Sequence, residues 1–130
     1  MSGDELGFAY RPTSAPAASA KAETWLWIAQ RASAALLALC VLVHLFTIIY
    51  AVRHGLTGAA ILARTRGNAA GLAFYSLYVL AIAVHAPIGL RTLFQEWLGW
   101  RSASLNWFIV ALALALFAFG LRAGWAVFVG

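Results

Sequence analysis

Apolar residues occur in three long runs along the chain, separated by polar connectors. The runs cover residues 25–52, 70–94 and 105–129. A helix needs about 20 apolar residues to cross the hydrocarbon layer of a bilayer, and each run is long enough. Strands are excluded by this length and because an open sheet edge leaves backbone groups unpaired in lipid. The pattern predicts an all-α integral membrane protein with three transmembrane helices.

The segments between the runs are polar and short. Residues 1–24 are rich in Gly, Ser, Ala and Pro and lack the apolar core of a signal peptide, so we expect a flexible N-terminal tail. Residues 53–69 contain three glycines and several polar side chains, which is typical of an aqueous loop. Residues 95–104 are expected to form a short loop that joins the second and third helices as a hairpin.

Composition narrows the class of protein. Hydrophobic residues make up 64% of the 130 and charged residues only 10%, whereas a soluble domain has about a quarter of its residues charged. The net charge of +5 comes from scattered Arg and Lys, so no nucleic-acid patch is expected. The single cysteine, Cys40, excludes a disulfide within the chain and is interpreted as a packing residue.

Tryptophans and basic residues indicate how the helices lie in the membrane. Five of the six tryptophans fall at the N-terminal face, as an interfacial belt would: Trp25, Trp27, Trp97, Trp100 and Trp107. Basic residues are almost balanced, five on that face and four on the other. The tail carries no export signal, so we expect the N-terminus inside, in the inner membrane of a bacterium.

Histidines inside the membrane are costly to bury and usually functional. His44 lies deep in the first helix, on a stripe of small or polar residues that must face protein or a cofactor: Gln30, Ser33, Leu37, Cys40, Thr47 and Ala51. His85 lies in the second helix, followed by Pro87 and Gly89. Two interpretations stay open for each histidine, a haem ligand and a hydrogen-bonded residue of a packing seam.

Arg31 and Arg91 lie near the ends of their helices, on the N-terminal face. Each either extends to the lipid headgroups or pairs with an anionic haem propionate or a quinone carbonyl. Counted from these arginines at 1.5 Å per residue, His44 lies about 10 Å deeper than His85. The two histidines are therefore poorly placed to bind one iron, and a partner chain is expected to supply the opposing ligand.

Two motifs resemble the cytochrome b anchor subunits of the succinate dehydrogenase and fumarate reductase family. Gln30-Arg31-Ala32-Ser33-Ala34 is similar to the Arg-x-Ser-Gly opening of their first helix. His85-Ala86-Pro87-Ile88-Gly89-Leu90-Arg91 is similar to the His-x-x-x-Gly-x-Arg motif of their second helix. The order of the motifs and the three-helix layout match from about Trp25 to Val129.

The resemblance implies a membrane anchor for a flavoprotein subunit and an iron–sulfur subunit, with electrons passing from succinate to quinone. His85 would be an axial ligand of haem b, and Arg31 and Arg91 would hold propionates. Trp27, Arg31 and Ser33 would line the quinone site. Residues 27 and 30 depart from the pattern, because the best-known members have Ser and His where this chain has Trp27 and Gln30.

His44 resembles the first-helix histidine of two-haem members, which predicts a second haem. The resemblance also implies that the three helices are half of a larger bundle, completed by a second anchor subunit. The chain would perform no succinate chemistry by itself. Alternatives are an anchor of a fumarate reductase or another quinone-linked dehydrogenase, and a haem-free structural anchor. A proton-coupled transporter is disfavoured because no Asp or Glu lies in mid-membrane.

Overall fold

A computed structural model describes residues 20–130, which form four helices. The helices are α1 (Ala20–His54), α2 (Gly58–Thr65), α3 (Ala69–Trp97) and α4 (Ala103–Val129). Of these, α1, α3 and α4 are long and apolar enough to span a membrane. The predicted class, an all-α membrane protein with three membrane helices, is confirmed.

The helices extend beyond the apolar runs from which they were predicted. α1 begins at Ala20, five residues before the predicted start, because the segment Ala20–Thr24 consists mostly of residues that tolerate a helix although only part of it is apolar. Hydropathy marks the part of a helix that lies in lipid, and not the whole helix. The rest of the predicted tail lies outside the described residues.

The predicted 53–69 loop contains a helix that the sequence analysis missed. α2 is only two turns long, and Thr57 caps it by accepting a hydrogen bond from the Ala60 amide at 3.2 Å. Asn68 caps α3 in the same way, with Oδ1 accepting from the Gly71 amide at 2.8 Å. With eight residues, α2 is far shorter than the run of about 20 apolar residues by which the membrane helices were recognised.

Each of the long helices α3 and α4 runs antiparallel to the long helix before it in the sequence. We call the end where α1 begins, α3 ends and α4 begins the entry end; the opposite end, which contains α2, is the far end. The five tryptophans of the predicted belt all belong to the entry end, and Trp125 lies near the end of α4 at the far end.

The helix α3 is central, because it packs against both α1 and α4. Few side chains are buried, and those that are lie along these two seams: Ser33, Cys40, Ala81, Ala83, Pro87, Leu105 and Ile109. Large apolar residues elsewhere are exposed, among them Phe46 at 69% and Phe119 at 72%. In a membrane such surfaces face lipid or another membrane chain, so the three helices have little core of their own.

Close approach between α3 and α4 depends on Gly120. A Cβ atom at this position would lie 2.5 Å from Cγ1 of Val79, closer than real atoms approach. Small residues at helix crossings allow the close packing that stabilises helix pairs in lipid, where the hydrophobic effect gives no drive for association.

We expect Gly120→Leu to separate α3 from α4 and to destabilise the protein by about 1–3 kcal/mol, the usual cost of overpacking. Thermal unfolding in detergent, followed by circular dichroism, measures the change. Gly58→Leu is the matched control, because no atom lies within 4 Å of a Cβ at Gly58. Equal stability of the two variants would contradict the role of Gly120.

Candidate functional site

Each of the two histidines predicted from the sequence contacts a side chain across the seam between α1 and α3. The two contacts lie at different depths in the helix pair. Ser33 of α1 meets His85 of α3, and His44 of α1 meets Tyr75 of α3. From the first contact to the second, the residue number increases on α1 and decreases on α3, as antiparallel helices require. The stripe predicted to face protein is the face that α1 turns toward α3, since Ser33 and Cys40 are the buried residues of α1.

His85 is oriented by a short chain of hydrogen bonds. The Ser33 hydroxyl is 7% exposed and donates to the carbonyl oxygen of Gln30 at 3.1 Å. The same oxygen lies 3.4 Å from Nδ1 of His85. When the hydroxyl proton lies on the Gln30 carbonyl, Oγ of Ser33 is an acceptor for an N–H at Nδ1 of His85, and this pairing corresponds to the tautomer protonated on Nδ1. The lone pair of Nε2 is therefore available to a ligand.

One turn beyond His85, Gly89 lies against the side chain of Gln30. A Cβ at Gly89 would lie 3.2 Å from Nε2 of Gln30, so a larger residue would require the Gln30 side chain to shift. The space that glycine leaves on α3 is thus filled by α1. Oε1 of Gln30 is buried and has no hydrogen-bond partner within residues 20–130. A donor from a bound molecule or a second chain would complete this amide.

His44 lies in an aromatic setting at the second depth. Its Nδ1 is 3.2 Å from the hydroxyl of Tyr75, and its ring meets Tyr75 edge-on and Tyr78 at a tilt, with centroids 5.8 and 6.0 Å apart. His44 follows Ser33 by eleven positions, which corresponds to about 16 Å along the axis. The two histidines lie at different depths, further apart than the 10 Å expected from the arginines.

Arg91 ties the three long helices together at the entry end. Its Nη2 pairs with Oε1 of Glu23 on α1 at 3.1 Å, and its Nε donates to Oδ1 of Asn106 on α4 at 3.3 Å. The side chain of Arg91 is 15% exposed and that of Glu23 is 51% exposed. These contacts lie in a polar pocket of about 460 Å³ that also includes Glu96 and Arg101.

The predicted quinone residues fall into two groups. Arg31 lies over the Trp27 ring, with Cζ 5.4 Å from the centroid, and both side chains are exposed. Ser33 is buried and directed toward His85. The structure therefore brings Arg31 and Trp27 together on the outer surface of α1 and places Ser33 on the seam.

Three residues of this region were missed by the sequence analysis. Glu23 was assigned to the tail, Tyr75 was treated as part of an apolar run, and Asn106 was not considered. Tyr75 carried a usable signal, since a hydroxyl at membrane depth needs a partner and His44 faces it on the adjacent helix. Glu23 and Asn106 become notable only when the register of the helices is known.

Within the described part of the chain, no group of three or more His, Cys, Asp or Glu could hold a metal ion. His44 lies on the α1 side of the seam, and His85 lies on the α3 side. A haem iron with two axial ligands would need one of them from another chain.

These features define an integral membrane protein of three long helices, with His44 and His85 on the seam between α1 and α3. A family model described as the succinate dehydrogenase/fumarate reductase transmembrane subunit matches residues 10–121. The chain belongs to this family. Neither the curated proteins nor the solved structures contain a match. The family that the two motifs resemble is thereby confirmed.

Proposed function

We propose that this chain is the haem b-binding anchor of a succinate:quinone oxidoreductase, which passes electrons from an iron–sulfur subunit to a quinone. Family membership supports an association with catalytic subunits at the membrane. The observation that carries the haem assignment is the hydrogen bond that fixes His85. Histidine ligands of metals usually donate their second ring N–H to a neighbour, and Ser33 is such a neighbour.

The residues of this chain fit a haem on two counts. His85 offers Nε2 as an axial ligand, because Nδ1 is engaged by Ser33. Arg91 and Arg31, near the entry end, are the cations available to propionates, and Arg91 would exchange its pairing with Glu23 for a propionate. Bound haem would supply a one-electron carrier between the iron–sulfur subunit and the quinone. A second anchor subunit would supply the opposing histidine and complete the bundle.

The quinone is proposed to bind near the entry end, beside Arg31 and Trp27. A guanidinium can polarise a quinone carbonyl, and an indole can pack on its ring. The role of Ser33 as a quinone contact stays a prediction, and its burial favours the role in holding His85. We place the entry end, and so the N-terminus, on the inner side of a bacterial cytoplasmic membrane, where the flavoprotein and iron–sulfur subunits would dock.

Two alternative functions are compatible with the same family. An anchor of a fumarate reductase or another quinone-linked dehydrogenase would use the same residues, since the direction of electron flow depends on the quinone and on the partner's clusters. A haem-free structural anchor would leave His85 as a packing residue. A second haem at His44 is favoured by one observation, that His44 lines a large cavity.

We expect His85→Ala to abolish the b-type absorption of haem in the purified complex, because the axial ligand is lost. Reduced-minus-oxidised spectra with haem quantification measure it, and co-purification of the other subunits shows that the complex still assembles. His54→Ala is the control, since His54 is exposed near the end of α1. A wild-type complex without haem would favour the structural anchor.

Ser33→Ala should weaken haem retention about 10- to 100-fold, the usual effect of removing a hydrogen bond behind a metal-binding histidine. Ser33→Thr keeps the hydroxyl and should retain haem. Haem loss during dilution and the midpoint potential of the bound haem are the measurements. If the Ala variant matches wild type in both, Ser33 does not orient the ligand.

His44→Ala should halve the haem content if a second haem is present, because that haem would lose its axial ligand. Haem per complex, determined alongside the iron content, measures the change. The Tyr75→Phe variant, which removes only the hydroxyl near Nδ1 of His44, is the milder comparison. One haem per complex, unchanged in His44→Ala, would exclude the second haem.

A further inference from the structure

The far end of the molecule contains a large cavity, of about 810 Å³, lined predominantly by apolar residues from all four helices. His44, Thr47 and Tyr75 contribute polar groups on its membrane side. Arg64, Thr65 and Asn68 contribute polar groups where α2 ends and α3 begins. The cavity therefore has an apolar body with a polar end that carries a guanidinium.

The far end is cationic without acidic side chains to balance it. The acidic side chains of the described chain are Glu23 and Glu96, and both lie at the entry end. The far end carries four arginines: Arg53, Arg64, Arg66 and Arg122. Among residues 20–130, no Asp or Glu side chain lies at this end to pair with them. Arg66 donates to the oxygen of Gly130, so the arginine of the cavity lining, Arg64, is the one considered as a partner for an anion from outside this part of the chain.

Of the four arginines at the far end, Arg64 is the one that lines the cavity. One of its nitrogens, Nη2, donates to the carbonyl oxygen of Gly55 at 2.8 Å, which holds α2 against the turn after α1. Gly55 has a φ of 113°, a conformation that glycine adopts without strain, so this carbonyl is presented by the turn itself. A guanidinium has five N–H donors, and the contact with Gly55 leaves others to bind an anion.

We propose that the far-end cavity binds an anionic phospholipid of the bilayer, with its phosphate at Arg64 and Asn68 and its acyl chains along the apolar wall. Arginine forms strong, paired hydrogen bonds with phosphate oxygens, and basic residues at a membrane face attract anionic lipids. An apolar cleft that opens between membrane helices will be filled by chains from the surrounding lipid. The lipid would join α1, α2 and α4 where these helices leave a gap.

Haem is the other acidic amphiphile that could occupy this space, since its propionates could pair with Arg64 while His44 approached the iron. The described residues provide one histidine in the cavity lining, His44, and its Nδ1 already contacts Tyr75. A phospholipid needs no ligand from this histidine. The lipid and a second haem compete for one cavity, so counting both in the same sample separates them.

The test uses the intact complex, purified in mild detergent and washed to remove bulk lipid. Phospholipids are extracted and quantified by mass spectrometry, and haem is quantified in the same sample. We expect wild type to retain an anionic phospholipid in a fixed ratio to the protein. Arg64→Gln should reduce retention roughly tenfold, the effect of losing one hydrogen bond between charged groups. Ala51→Phe, which fills the cavity from α1, should reduce it without touching Arg64.

Arg53→Gln is the matched control, because Arg53 is an exposed arginine at the same end that does not line the cavity, and it should retain the lipid. Arg64→Gln also removes the contact with Gly55, so agreement with Ala51→Phe separates lipid loss from misfolding. Retention equal to wild type in both variants would overturn the proposal, as would loss of haem in place of lipid in Ala51→Phe. The inference is independent of the haem at His85: a complex that retains lipid but has no haem would refute only the proposed function.

Discussion

The contact between α1 and α3 is the constraint on which the position of His85 depends. Ser33 is small and buried, and at this point the two helices are close enough for its hydroxyl on α1 to reach the imidazole of His85 on α3. In lipid, apolar side chains gain nothing by leaving the solvent, so packing and interhelical hydrogen bonds must hold helices together. The same contact that joins the helices therefore fixes the ring of His85, and stability and ligand geometry depend on the same atoms.

Much of this arrangement could be predicted from the sequence. Length and hydropathy defined three membrane helices, and the polar stripe around His44 indicated the face of α1 that meets protein. The partners of the histidines could not be predicted, because the hydrogen bonds between Ser33 and His85 and between His44 and Tyr75 depend on the register of two helices separated by a connector. Hydropathy fixes a helix to within a few residues, whereas a change of one residue turns a side chain by about 100° around the axis. The helix α2 was missed for a different reason, since its eight residues lie in a segment interpreted as a loop because of its glycines and polar side chains.

Much of the apolar surface of the three long helices stays exposed. Large apolar side chains such as Phe46 and Phe119 are exposed, and each histidine meets α1 or α3 on one side only. A self-contained three-helix bundle would bury more of this surface between its helices. Together with the unpaired oxygen of Gln30, these surfaces are what one part of a shared membrane domain should show.

The positive charges of the arginines are balanced differently at the two ends of the molecule. At the entry end, Arg91 is neutralised within the chain by Glu23, and the ion pair also links α1 to α3. At the far end, the described residues include arginines and no acidic side chain. Arg66 donates to the oxygen of Gly130, which leaves the charge of the other arginines to be balanced from outside these residues. The internal ion pair therefore serves the fold itself, since it links two membrane helices at the entry end. A cation without an internal partner can instead hold a mobile component of the membrane, and it does so without any acidic residue having to be placed by the fold.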